Sequence, residues 1–133
     1  MVKKLVIAAI GVLVSIGLVV GVRYLVSVKN YQNKVRDTEI REVALSKVKD
    51  GNYIGSYDAN FVQAKVKVEI KGHRITSIKL LEHKTERGKR AEVIPAMVVK
   101  AQSLKVDTIT GATNSSKVIL KSIEKALEKG ENE

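Results

Sequence analysis

The sequence has no cysteine and no tryptophan, and only one proline, one phenylalanine and two histidines among 133 residues. Without cysteine there is no disulfide framework, no thiolate metal site and no thiol to acylate, so a redox role has to come from a bound cofactor. His73 and His83 lack the His-x-x-x-His or Glu-x-x-His spacing of a metal centre, and no metal is expected. Four tyrosines and one phenylalanine offer little for base stacking, and the lysines are interspersed with acids. The net charge of +10, from 24 Lys and Arg against 14 Asp and Glu, therefore does not read as a nucleic-acid surface. Solvated charge beside anionic lipid headgroups explains it better.

Apolar residues at 44% and charged residues at 29% leave room for one small domain, with no sign of disorder. From Leu5 to Val22 run 18 uncharged, mostly apolar residues, which as a helix span about 27 Å, close to a hydrocarbon core. Lys3 and Lys4 precede the run as in a secretory signal, but Val20-Gly21-Val22 leads into Arg23 with no small-x-small cleavage site. Residues 1–28 thus read as an uncleaved transmembrane signal anchor. Lys3 and Lys4 favour a cytoplasmic N-terminus, whereas Arg23, Lys29, Lys34 and Arg36 on the other flank favour the reverse by the positive-inside count. Residues 29–49 read as a linker or stalk, with Tyr31, Val35, Ile40, Val43 and Val48 spaced for a helix with a thin apolar stripe.

The soluble domain is expected over residues 50–130. After the Asp50-Gly51 turn, Tyr53 to Tyr57 alternate as a short strand, and Asp58-Ala59-Asn60 turns the chain. Val62, Ala64, Val66, Val68 and Ile70 then alternate with Gln63, Lys65, Lys67 and Glu69, the pattern of a half-buried strand. Lys71-Gly72 closes a hairpin onto Arg74 to His83, whose apolar set Ile75, Ile78, Leu80 and Leu81 is less regular. A charged loop over 84–89 leads to a helical pattern from Ala91 to Ala101, with Pro95 in the first turn of its main part. A short strand is expected at Leu104 to Val106. The last helix, from about Ser116 to Lys129 and ending at Gly130, has Ile119, Ile123, Ala126 and Leu127 on one face, with Lys117, Lys121, Glu124, Lys125 and Glu128 largely on the other. The fold class is α+β: a small antiparallel sheet packed with two helices, preceded by one transmembrane helix and a helical linker.

The stretch Asp107-Thr108-Ile109-Thr110-Gly111-Ala112-Thr113-Asn114-Ser115-Ser116 packs small and hydroxyl residues ahead of that helix. A helix start carries unpaired N–H groups and about half a positive charge, so it favours a phosphate. Gly111 and Ala112 let a phosphate approach the backbone, and Thr113 offers a hydroxyl there. The competing reading is a plain turn at Gly111 followed by an Asn or Ser cap. Ser115 and Ser116 are expected to cap rather than to act as nucleophiles, since no acid–base partner is spaced to activate them. His73 reads as a turn residue.

The spacing Asp107-x-x-Thr110-Gly111-Ala112-Thr113 resembles the flavinylation motif of the FMN-binding domain family, found in subunits of the Rnf and Nqr redox complexes and in small membrane-anchored flavoproteins. The resemblance runs from about Asp50 to Leu127, with weaker echoes at Asp50-Gly51-x-Tyr53-x-Gly55, Lys71-Gly72 and Gln102-Ser103. Where the larger subunits carry His-x-Glu-Thr-Pro-Gly, this chain has His83-Lys84-Thr85-Glu86-Arg87-Gly88, without the proline. The resemblance implies FMN attached through a phosphodiester to Thr113 by a separate flavin transferase, outside the cytoplasm. It makes Thr113, Ala112, Gly111, Thr110, Asp107, Ser115, Ser116 and His83 the cofactor-binding candidates. It also implies a membrane-anchored electron carrier or redox-complex subunit, with its N-terminus cytoplasmic and redox proteins or a quinone as donor and acceptor. Two alternatives remain open from the residues: a domain holding FMN non-covalently as a sensor or accessory part, and a cofactor-free basic module that binds surface polymer or lipid.

Overall fold

The computed structural model describes residues 1–85 and 88–132. Helix α1 runs from Val2 to Arg36, and its most apolar 18-residue window has a mean hydropathy of 2.9 with none of that window buried. It is long and apolar enough to cross a membrane. The chain divides into two units, the first ending at Asn33 and the second starting at Lys34.

The second unit is α+β. Strands β1 (Gly51–Asp58), β2 (Gln63–Lys71) and β3 (Arg74–Lys84) form one antiparallel sheet in the order β1-β2-β3. The alternation in β2 is kept: Ala64, Val66, Val68 and Ile70 are buried, while Lys67 and Glu69 face water. Between β2 and β3 the two-residue loop Gly72-His73 has φ of +60° at both positions, the mirror-image turn that matches strand twist. Two register shifts explain the irregular apolar set of β3. Glu69 pairs with Ser77 but Ile70 with Ile75, leaving Thr76 over; Lys65 pairs with Glu82 but Val66 with Leu80, leaving Leu81 over. The bulges keep Ile75, Ile78 and Leu80 on the covered side. Leu81, expected among the apolar set, is exposed instead.

A 3₁₀ turn over Lys89–Val93 leads into α2 (Ile94–Ala101), with Pro95 at its start as the sequence suggested. Helix α3 (Thr113–Asn132) lies across the sheet. Val118, Ile119, Ile123, Ala126 and Leu127 are buried there, and each large apolar side chain among them contributes about 1.5–3 kcal/mol. The crossing over β1 is close at Gly55, where a Cβ would overlap the Ser122 carbonyl and the Ala126 backbone. The buried Ser122 hydroxyl shares its proton between Val118 O at 2.8 Å and Ala64 O at 3.1 Å, tying α3 to β2.

Three expectations for α3 need correction. It starts at Thr113 rather than near Ser116, and it continues through Gly130 to Asn132. Gly130 is no terminator; its bare backbone packs against Val48 and the Tyr53 ring, where a Cβ would overlap both. Glu124, assigned to the polar face, is fully buried. The reason lies in residues 34–49, read as linker. Their part after α1 is a strap that crosses the domain and buries Val43 and Val48, while Val35 is buried in the last turn of α1. The Arg41 N–H donates to Glu124 Oε1 at 2.6 Å, Lys121 pairs with the other oxygen of Glu124, and Lys121 Nζ donates to Glu39 O.

Candidate functional site

The chain approaches the Asp107–Thr113 stretch from α2, which Gln102 ends with a left-handed φ of +54°. The Gln102 amide then does what another strand would do at the free edge of β3. Its Oε1 accepts the Ile75 N–H at 2.8 Å and its Nε2 donates to the Ile75 carbonyl at 2.8 Å. Ser103 donates to Glu42 Oε2 at 2.6 Å, and the Leu104 N–H donates to Glu42 Oε1 at 3.2 Å. The strand expected at 104–106 is absent, because the chain here is held by side chains rather than by a neighbouring strand.

A turn over residues 109–112 follows, closed by the Ala112 N–H donating to Ile109 O at 2.9 Å. Its third residue, Gly111, has φ of +82°, a backbone that a side chain tolerates poorly, while the space around its Cβ position is open. Gly111 is needed for the turn, then, and not for lack of room. The first backbone bond of α3 runs from the Ser116 N–H to Ala112 O at 2.9 Å, which makes Ala112 the residue flanking the helix. Ala112 has no side-chain oxygen with which to cap. Thr113, the first helical residue, is exposed, as are Asp107, Thr110 and Gly111.

Neither serine of the first turn caps it, contrary to expectation. Ser116, fully buried, donates to Ala112 O at 2.8 Å and accepts the Ile109 N–H at 3.0 Å, stapling the turn to the helix. Ser115, 2% exposed, turns sideways to the end of β3, donating to Thr85 Oγ1 at 3.0 Å and lying 3.1 Å from His83 Nε2. His83 Nδ1 lies 3.0 Å from Glu92 Oε2, and Thr85 Oγ1 accepts the Gly88 N–H at 2.8 Å. The His83 side chain is 3% exposed. Its two nitrogens are both engaged, and the hydroxyls of Ser115 and Thr85 can reverse their donor direction. The chain is therefore complete with a neutral ring or a protonated one. Gly88 sits so close that a Cβ would overlap Ser115 and Thr85 Oγ1.

The fold thus gives Ser115 the acid–base neighbours that the sequence did not show. A Ser–His–Glu order invites comparison with a hydrolase, but Ser115 is buried in a helical turn, with no face open to a substrate. Of the predicted residues, Thr110, Gly111, Ala112 and Thr113 gather at the helix start, Ser115 and His83 join behind it, and Ser116 staples it. Asp107 stands apart, on the exposed approach. Sequence reasoning missed Glu42, Glu92 and the hydroxyl of Thr85; only Thr85-x-x-Gly88 hinted at a local turn. Glu86 and Arg87 of the charged loop lie outside the described residues.

The family model of the FMN-binding domain matches residues 59–128, over half of the chain, and the chain belongs to the FMN-binding domain family. No curated protein matches it. The strap and β1 precede the matched residues, yet both are part of the folded unit. The helix start fits the flavin's phosphate. It combines an exposed hydroxyl, a glycine turn with open space beside it, and a first turn whose N–H groups no side chain of Ala112, Ser115 or Ser116 takes up.

Proposed function

We propose that this is a membrane-anchored, extracytoplasmic electron-transfer protein carrying FMN on Thr113 through a phosphodiester. The observation that supports it most is the position of Thr113: first residue of α3, exposed, directly after the Gly111 turn and Ala112, which has no side-chain oxygen to cap with. A phosphate esterified there would lie among N–H groups with no intrahelical acceptor, at the positive end of a 20-residue helix. Ser115 and Ser116 compete poorly as attachment points, because both are buried and both hydroxyls are bonded.

The flavin supplies the redox chemistry, which the cysteine-free chain cannot. The chain's own residues hold and orient it: Gly111 admits the phosphate, the first-turn amides take its charge, and Ser116 keeps the turn in place. A phosphodiester suits a carrier outside the cytoplasm, where a released cofactor would be lost by dilution. The apolar part of α1 keeps the domain near its redox partners at high effective concentration. Asp107, exposed on the approach, is available to the transferase that would read the motif.

The test is the denatured protein from cells that contain a flavin transferase. Fluorescence retained on a denaturing gel, with an intact mass raised by one FMN less water, is the expected result. Colour lost on denaturation would favour the non-covalent reading.

A further inference from the structure

Among the described residues no side chain is bonded to an N–H of the first turn of α3, and such a helix start faces a conflict. Free N–H groups are what a phosphate needs, but a first turn without a cap frays. Here the turn is held by a side chain leaving it sideways. Ser115 is locked to His83 and Thr85, His83 is oriented by Glu92, and Thr85 is fixed by the Gly88 N–H. These bonds join α3 to the end of β3 and to the 3₁₀ turn before α2 without using an amide of the first helical turn as donor. The geometry points to a latch: His83 and Ser115 are positioning residues that keep Thr113 and its neighbouring N–H groups in register for the flavin phosphate. On this reading His83 acts through Ser115 rather than by touching the cofactor. The latch rests on the assignment of FMN to Thr113 for its purpose, but its existence is separable from that assignment.

The burial of His83 supports the same conclusion. A ring 3% exposed with both nitrogens engaged cannot swing to meet a ligand without breaking bonds at both ends. Loss of Ser115's hydroxyl would leave His83 Nε2 and Thr85 Oγ1 with one partner fewer, in a place that a Cβ on Gly88 would already crowd.

The experiment uses the full chain in detergent, made with and without a flavin transferase. A glutamine at position 83 brings its amide nitrogen near Nε2, so His83→Gln keeps the bond to Ser115, whereas His83→Asn reaches only the position of Nδ1. In flavin-free protein, Ser115→Ala and His83→Asn should speed exchange of the Gly88 amide by about tenfold, the effect of losing one hydrogen bond's worth of local stability, and His83→Gln should not. In protein made with the transferase, the first two should lower FMN per chain severalfold, with His83→Gln near the parent. Thr85→Val, an isosteric change at the loop side of the latch, removes the acceptor of the Gly88 N–H itself and so speeds that exchange in any case; its FMN per chain should fall as in Ser115→Ala, and this loading gives the answer if that variant does not fold. Equal behaviour of His83→Gln and His83→Asn, parental exchange and loading in Ser115→Ala, or parental loading in Thr85→Val, would overturn the latch. A parent chain without FMN would refute the Thr113 assignment, and Gly88 exchange would still decide whether the latch exists.

Discussion

The backbone N–H of Arg41 donates to Oε1 of Glu124 at 2.6 Å, across 83 positions of sequence. Glu124 is fully buried, and its other oxygen meets the Lys121 ammonium. One carboxylate therefore fastens the strap after α1 onto the middle of α3. Removing it strands the Arg41 amide and leaves the Lys121 ammonium with the Glu39 carbonyl and water. Glu124→Ala should cost about 3 kcal/mol, and Glu124→Gln, which keeps an acceptor for Arg41, clearly less. Urea unfolding of the two variants measures both; equal costs would mean that the Arg41 bond contributes nothing.

Gly55 lies under the close crossing of β1 and α3. A methyl group there meets backbone atoms of Ser122 and Ala126, which cannot step aside as a side chain could. Gly55→Ala should destabilise the domain by about 2–3 kcal/mol, read as a lower thermal midpoint.

Gly111 separates conformation from crowding. Its φ of +82° disfavours any side chain, but nothing lies within 4 Å of the Cβ position. Gly111→Ala should cost only about 1–2 kcal/mol while shifting the turn that delivers Thr113. The expected result is a folded chain with reduced flavin loading. Full loading in this variant would show that the turn's shape does not matter to attachment.

Much of the fold was legible because its signals are local. The strict alternation of Val62 to Ile70 marked β2, Gly72 marked the hairpin, and the apolar run Leu5 to Val22 marked the long helix. The failures came where tertiary contacts overrode local pattern. Glu124 looked like a surface residue because the strap that buries it comes from residues far upstream. Leu81 looked like core because a bulge cannot be read from composition. Ser115 and Ser116 looked like caps, as their type and place suggest, until His83 and Thr85 on one side and Ile109 on the other claimed their hydroxyls. The motif singled out Thr113 but not its place as the first residue of α3, and Glu92 and Glu42 carried no sequence signal at all.

Asp107 is exposed, so its loss should hardly touch stability, within about 0.5 kcal/mol. Asp107→Ala should nonetheless lower flavin loading if the transferase reads the motif. Unchanged loading in a folded Asp107→Ala chain would reduce Asp107 to a turn residue.

Orientation can be read with one thiol, since the chain has none of its own. Asn132→Cys places a thiol on the exposed last turn of α3. A membrane-impermeant maleimide should label it in cells whose cytoplasmic membrane is intact and whose outer barriers have been opened. Labelling only after that membrane is broken would place the domain inside and end the extracytoplasmic account.

The central claim is that Thr113 alone carries the flavin, and peptide mass spectrometry of protein made with the transferase tests it most directly. The account predicts FMN on the peptide containing Thr113, with fragment ions placing it on that residue. It also predicts complete loss of covalent flavin in Thr113→Val, and retention in Ser116→Ala at whatever level its folding allows. FMN found on Thr110, Ser115 or Ser116, or retained covalently in Thr113→Val, would contradict it.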